Sequence, residues 1–180
     1  FEEGFDAVSG VQIQDHTEKS ILTELYSKFF FRGYLKDRRR AVNRKYWKMP
    51  EIVPSNVLSG GITAYKAEIF NNLKFDENLK GYSLGEDKEF STRLILSNYK
   101  LAINTKAYAF HFRHPKGKPT LFDRFESKVA FIYYLNRKVT TQKKLSIEAR
   151  WALVGIFFEG IIKSLAAGNI SPFKGIFSGI

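Results

Sequence analysis

The sequence predicts an α/β domain that ends in a helical tail. Short β-branched runs alternate with apolar stripes of helical period through the first two thirds of the chain, and the last third is helical throughout. Of the 180 residues, 44% are apolar and 26% charged, the balance of a folding chain and not of a disordered one. Cysteine is absent, which excludes a disulfide framework and any Cys-ligated zinc or iron–sulfur site. Aromatic residues are abundant, with 17 Phe and 9 Tyr.

Taken in order, residues 7–13 (AVSGVQI) read as a short buried strand. From Thr17, which can serve as an N-cap, Ile21, Leu22, Leu25, Tyr26, Phe29 and Phe30 recur at helical spacing, and Gly33 can end that helix. Residues 36–48 (KDRRRAVNRKYWK) form a basic run without a clean period, read as a loop or a frayed helix. This run is either a solvated charged face or a contact for an anionic lipid or carrier, with nucleic acid a further alternative. Residues 56–65 (NVLSGGITAY) read as a strand carrying a glycine pair, and 66–73 as a short helix with Ile69 and Phe70 inward. A turn is expected at 75–80.

Gly85 opens the next helix, with Phe90, Leu94 and Ile95 as its stripe and Asp87 in its first turn or at its cap. Residues 100–104 and 107–112 read as two short strands around a turn, and 114–119 as a loop. Two long helices follow. The first, 121–139, places Phe122, Phe125, Val129, Ile132 and Tyr133 on one face; the second, 146–167, places Ile147, Trp151, Val154, Phe158, Ile161, Ile162 and Leu165 on one side. Ser171-Pro172 starts a short last helix. Two regions are therefore expected, 1–120 and a helical tail at 121–180.

The candidate chemistry gathers at Gly60-Gly61, Glu86-Asp87 and His111. A carboxylate at a helix N-terminus can be a cap, stabilised by first-turn N–H groups and the helix dipole, or a general base aimed into a cleft. Glu86 points about 100° away from its neighbour around the helix. The glycine pair is either a bulge or a place where a ligand approaches the backbone. His111 is either a hydrogen-bonded core histidine or one ligand of a divalent cation. The other histidines are His16 and His114.

The order of these motifs carries a resemblance. Ser59-Gly60-Gly61, Phe70, Phe75-Asp76-Glu77, Glu86-Asp87, Arg93-Leu94, Tyr99-Lys100-Leu101 and His111 stand as in the C-terminal half of a family 2 inverting glycosyltransferase domain. Residues 57–112 carry it best, 1–30 loosely match the tail of the nucleotide half, and Asn136-Arg137-Lys138 resembles the closing helices of polysaccharide-synthesising members. The resemblance implies the acceptor side of a GT-A (Rossmann-like) fold. It implies Asp87 as catalytic base, Glu86 shaping the acceptor site, and Ser59, Gly60, Gly61 and Arg93 bordering the substrates. It also implies His111 as a ligand of the Mn or Mg ion that holds the donor diphosphate, with His114 a substitute. The family's Asp-x-Asp metal cluster is missing from the sequence. The chain is therefore expected to be a fragment that lacks donor binding by itself; its opening, Phe1-Glu2-Glu3, fits no secretory signal. The implied partners are a nucleotide-sugar donor and a glycan or lipid-linked acceptor, and the implied location is the cytoplasmic face of a membrane.

Net charge decides between two rival readings only in part. Twenty-nine Lys and Arg against 18 Asp and Glu leave +11, with an isoelectric point near 9.7. That charge attracts nucleic acid, anionic lipid and phosphorylated substrates alike. Scattered basic residues and the lack of a nucleic-acid motif argue against the first, and no nucleic-acid partner is expected. For the second, residues 151–162 (WALVGIFFEGII) are strongly apolar and follow Lys143, Lys144 and Arg150, so that helix either packs on the protein or lies on an anionic leaflet. Glu159 and Lys163 interrupt the run and argue against a span.

Overall fold

The computed structural model describes residues 4–14, 21–77, 85–111, 119–140 and 144–180. His16, His114, the Thr17 cap, most of the 114–119 loop and residues 78–80 of the expected turn lie outside them. The fold is α/β. It divides into two compact units: residues 1–17 with 37–113, and residues 18–36 with 114–180. The helical unit thus begins before the expected boundary at 120 and takes in residues 18–36, because the first helix packs its aromatic residues on the second long helix of the tail.

The first unit is built on a mixed sheet. Strand β1 (Ala7–Gln14) pairs in parallel with the long β4 (Leu101–His111) and antiparallel with β3 (Thr63–Tyr65), while β2 (Ile52–Pro54) pairs antiparallel with β4; the order is β2-β4-β1-β3. The strand expected over 56–65 is shorter than its composition suggests. Residues 60–62 wind into a single 3-10 turn, and only Thr63–Tyr65 reach the sheet. The two strands expected at 100–104 and 107–112 are one strand with an irregularity. Its register against β1 slips between Gly10 and Val11, whose partners are Asn104 and Tyr108. The Asn104 side chain closes that slip by accepting from the N–H groups of Lys106 (2.8 Å) and Ala107 (3.2 Å).

Asp6 locks the start of the sheet. One carboxylate oxygen accepts from Lys100 N–H at 2.8 Å and the other from Lys66 Nζ at 2.9 Å, and the Lys100 N–H followed by the Lys66 ammonium hold its carboxyl below the usual range. Helix α2 (Arg39–Lys45) resolves the basic run; it buries Val42 and leaves Arg38, Arg40, Lys45 and Trp47 exposed. Helix α3 is only Ile69–Asn72. Its Ile69 is buried as expected, whereas Phe70 stays partly exposed against the rings of Tyr65, Phe75 and Phe90. Helix α4 (Glu86–Leu96) starts at Gly85, whose φ of 111° suits glycine alone. It buries Phe90 and Leu94 against Val11, Leu58, Leu101 and Ile103, and turns Ile95 outward, contrary to expectation.

In the second unit, α1 (Ile21–Phe30) precedes the long helices α5 (Leu121–Thr140) and α6 (Ile147–Ala167) and the short α7 (Ser171–Ser178). Helix α5 buries Phe125, Val129 and Ile132 of its expected stripe and Leu135 besides, and leaves Phe122 and Tyr133 half-buried. Buried Asn136 ties its end to the start of α6. Its amide oxygen accepts from Ser146 N–H (2.9 Å) and Tyr34 O–H (3.1 Å), and its Nδ2 donates to Lys144 C=O (3.0 Å). Ser146 then caps α6 by accepting from Ala149 N–H.

The large apolar residues expected to share one side of α6 are not its inward face. Ala149, Ala152, Ile156, Gly160 and Ser164 are buried, while Ile147, Val154, Phe158, Ile162 and Leu165 face outward. Small residues allow close approach: a methyl group on Gly160 would press on Ile176 of α7, and one on Gly175 of α7 would strike the α5 backbone at Phe122.

Candidate functional site

The turn at 58–63 carries the glycine pair, and three hydroxyls fasten it. Ser91 Oγ on α4 accepts from Leu58 N–H at 3.1 Å, and Ser9 Oγ on β1 accepts from Ser59 N–H at 3.2 Å. Thr63 Oγ1 donates to Ser59 C=O at 2.7 Å. Ser59 itself is buried and its hydroxyl has no hydrogen-bond partner. Its backbone, not its side chain, is what the turn uses.

Gly60 and Gly61 emerge from this turn into an open cleft of about 760 Å³. Val8, Ser9 and Gly10 of β1, Thr63 of β3 and Asn104 of β4 line the same space. The two glycines are not equivalent. A Cβ on Gly61 would meet open space, whereas one on Gly60 would collide with the Asp87 carboxylate. The structure therefore brings Gly60 and Asp87 into van der Waals contact across 27 positions of sequence.

Asp87 lies in the first turn of α4, and its carboxylate is 29% exposed. It is not the cap residue of the helix: that position is Gly85, which has no side chain. Instead Arg39 Nη1 donates to Asp87 Oδ2 at 3.2 Å and to Leu58 C=O at 2.9 Å, while Arg39 Nη2 donates to Asp37 Oδ2 at 3.2 Å. One guanidinium thus spans the carboxylate, the turn that carries the glycines, and a second carboxylate that holds it in place. The other Asp87 oxygen lies against Gly60. Tyr65 stands close enough for the Asp87 charge to act on it; burial first, then that charge, raise its phenol pKa against the opposing hydrogen bond with Thr63. Behind them, burial lowers the Lys88 ammonium to about 8, a shift that Asp37 opposes and Arg40 and Arg39 reinforce.

The other expected site residues are placed differently. Glu86 is exposed on the same first turn. Arg93 turns to the interior side of α4. It forms a two-point ion pair with Glu89 (2.6 and 2.9 Å), donates to Lys74 C=O (2.7 Å) and lies 5.2 Å from the centre of the Phe90 ring. These contacts give it a part in packing. His111 is exposed at the C-terminal end of β4. Among the described residues no three His, Asp or Glu side chains converge in a way that could hold a metal ion.

Arg39, Asp37 and Tyr65 went unread in the sequence. Arg39 lies inside a basic run that reads either as a solvated face or as an anion contact, and 48 positions separate it from Asp87. No local pattern marks it. Compared with known proteins, the chain matches no family model, no curated protein and no solved structure.

Proposed function

We propose that the sheet unit is the acceptor side of an inverting glycosyltransferase, with Asp87 as catalytic base. The observation that carries this reading is the seating of Asp87: its carboxylate is clamped by Arg39 on one oxygen and lies against Gly60, a residue that lines the open cleft although Asp87 itself does not. A general base needs a fixed direction and access to the proton it takes. Arg39 supplies the first, and the partial exposure of the carboxylate supplies the second.

In the reaction, an acceptor hydroxyl in the cleft gives its proton to Asp87. The hydroxyl oxygen forms a bond to the anomeric carbon of a nucleotide sugar as the bond from that carbon to the diphosphate oxygen breaks. The electron pair leaves with the diphosphate, and configuration inverts in one displacement. The bare backbone at Gly60-Gly61 lets a sugar ring approach where a side chain would block it. Glu86, exposed beside the base, is within the same first turn to contact the acceptor. Arg39 is a positioning residue, since it acts through Asp87. No step is assigned to a metal ion.

Asp87→Asn tests the assignment in the intact protein, with a panel of UDP-, GDP- and dTDP-sugars as donors. The substitution keeps size and shape, so folding and donor binding should persist while transfer falls about 10²–10⁴-fold. Undiminished transfer by the Asn variant would rule out Asp87 as the base.

A further inference from the structure

Helix α6 is apolar on two opposite faces, and the helical unit uses only one of them. Its small residues face the neighbouring helices, and its large ones are left outside: Ile147 is 83% exposed, Ile162 63% and Leu165 79%. Helix α1 extends this surface. It docks on α6 through Phe30, whose ring is 5.4 Å from Trp151 and 6.3 Å from Phe158, and through Tyr26, whose hydroxyl donates to Glu159 at 3.4 Å. Its own Leu22, Leu25 and Phe29 remain outside, and Phe29 packs edge-on against Trp151 at 5.2 Å. A continuous strip of aliphatic and aromatic side chains results, of a kind that a folded protein covers in use.

The charges on this strip identify the cover. Every exposed charged residue on α1 and α6 is a cation: Lys28, Arg150 and Lys163. The carboxylates of the two helices, Glu24, Glu148 and Glu159, are half-buried. Glu24 pairs with Lys28 at 3.0 Å, and Glu159 is held by Lys128 at 2.7 Å. Across the described residues of this unit, 11 Lys and Arg stand against five Asp and Glu. A second copy of the chain would set these same cations against one another with no exposed carboxylate on either helix to receive them, a like-charge contact that costs free energy. No described helix is long and apolar enough to cross a membrane. We propose that the joined outer faces of α1 and α6 lie on an anionic lipid surface, with Phe29, Phe158, Ile162 and Leu165 among the acyl chains and Lys28 and Arg150 at the phosphates; Lys163, exposed on the opposite side of α6, is not part of the contact. Amphipathic helices with large apolar and cationic residues bind bilayers in this orientation.

The probe is flotation of the intact protein with vesicles of phosphatidylcholine, with and without phosphatidylglycerol, at low and high salt. Binding is expected with phosphatidylglycerol at low salt and is weakened by high salt. Lys28→Gln and Arg150→Gln should each lower partitioning about fivefold, the worth of one cation at an anionic leaflet. Ile162→Glu with Leu165→Glu should abolish it while leaving the circular dichroism spectrum and melting unchanged, since both side chains are already in solvent. Trp47→Phe leaves Trp151 as the sole tryptophan, and brominated phosphatidylglycerol should then quench its fluorescence. Lack of binding to phosphatidylglycerol vesicles at low salt overturns the proposal, as does dimerisation in sedimentation equilibrium that the two Glu substitutions abolish in place of lipid binding. Binding that the Gln substitutions leave unchanged overturns it as well, and this arm holds even if the Glu variant unfolds.

Discussion

Gly60→Ala perturbs the site in a way whose cost can be worked from contacts. Gly60 does not adopt a left-handed backbone, so alanine meets no conformational strain there. Its methyl group would nevertheless overlap the Asp87 oxygen. Two responses are open. The turn can shift, which in a packed setting costs about 1–3 kcal/mol. Alternatively the carboxylate can swing away, which breaks its 3.2 Å bond to Arg39; the pair is partly exposed, so that route costs about 1 kcal/mol. The cheaper route sets the loss. Gly61→Ala is the internal control, because a methyl group there meets open space and reports only the reduced freedom of the unfolded chain, a gain of about 0.4–1 kcal/mol. That gain is common to both alanine variants and cancels, so the difference between them should be about 1 kcal/mol, or about 4–8 °C in Tm for a unit of this size. Urea unfolding followed by circular dichroism measures it. In an Asp87→Ala background the oxygen is gone and the difference should collapse, a coupling that a double-mutant cycle isolates. Equal stabilities of the two alanine variants, or a difference that survives in the Asp87→Ala background, would refute the contact on which the site is built.

Two further outcomes follow from polar groups in the interior. Burial lowers Lys88 from its ordinary 10.5 to about 8, so the unfolded chain binds more protons than the fold between those values. Stability should accordingly rise with pH across that window, by at most about 3 kcal/mol, and Lys88→Met should flatten the rise in pH-dependent urea titrations. Asn136→Ala should cost about 2–4 kcal/mol in thermal or urea unfolding, because it removes the partners of the Ser146 N–H and the Lys144 carbonyl in the interior, while the Tyr34 hydroxyl keeps its 3.0 Å bond to the Ser146 hydroxyl.

Local chemistry made much of this protein readable from its sequence. The run at 7–13 is a strand because its β-branched residues suit a half-buried sheet. Gly85 starts α4 because the chain must turn through positive φ there, which places Asp87 in the first turn and Phe90 and Leu94 inward. The α5 face is right at Phe125, Val129 and Ile132, since that helix has one main apolar side. Other features depended on partners remote in sequence. Residues 56–65 have strand composition throughout, yet hydroxyls on Ser9 and Ser91 pull residues 58–59 into a turn and leave three for β3. Helix α6 is apolar on two opposite faces, so its pattern could not say which side is inside; the neighbours decided, because only the Ala and Gly face lets helix backbones come close. The clamp of Arg39 on Asp87 is the sharpest case. A short-range pattern records which residues are amphipathic neighbours along one element, but an ion pair across 48 positions exists only once α2, the glycine turn and α4 have been packed together.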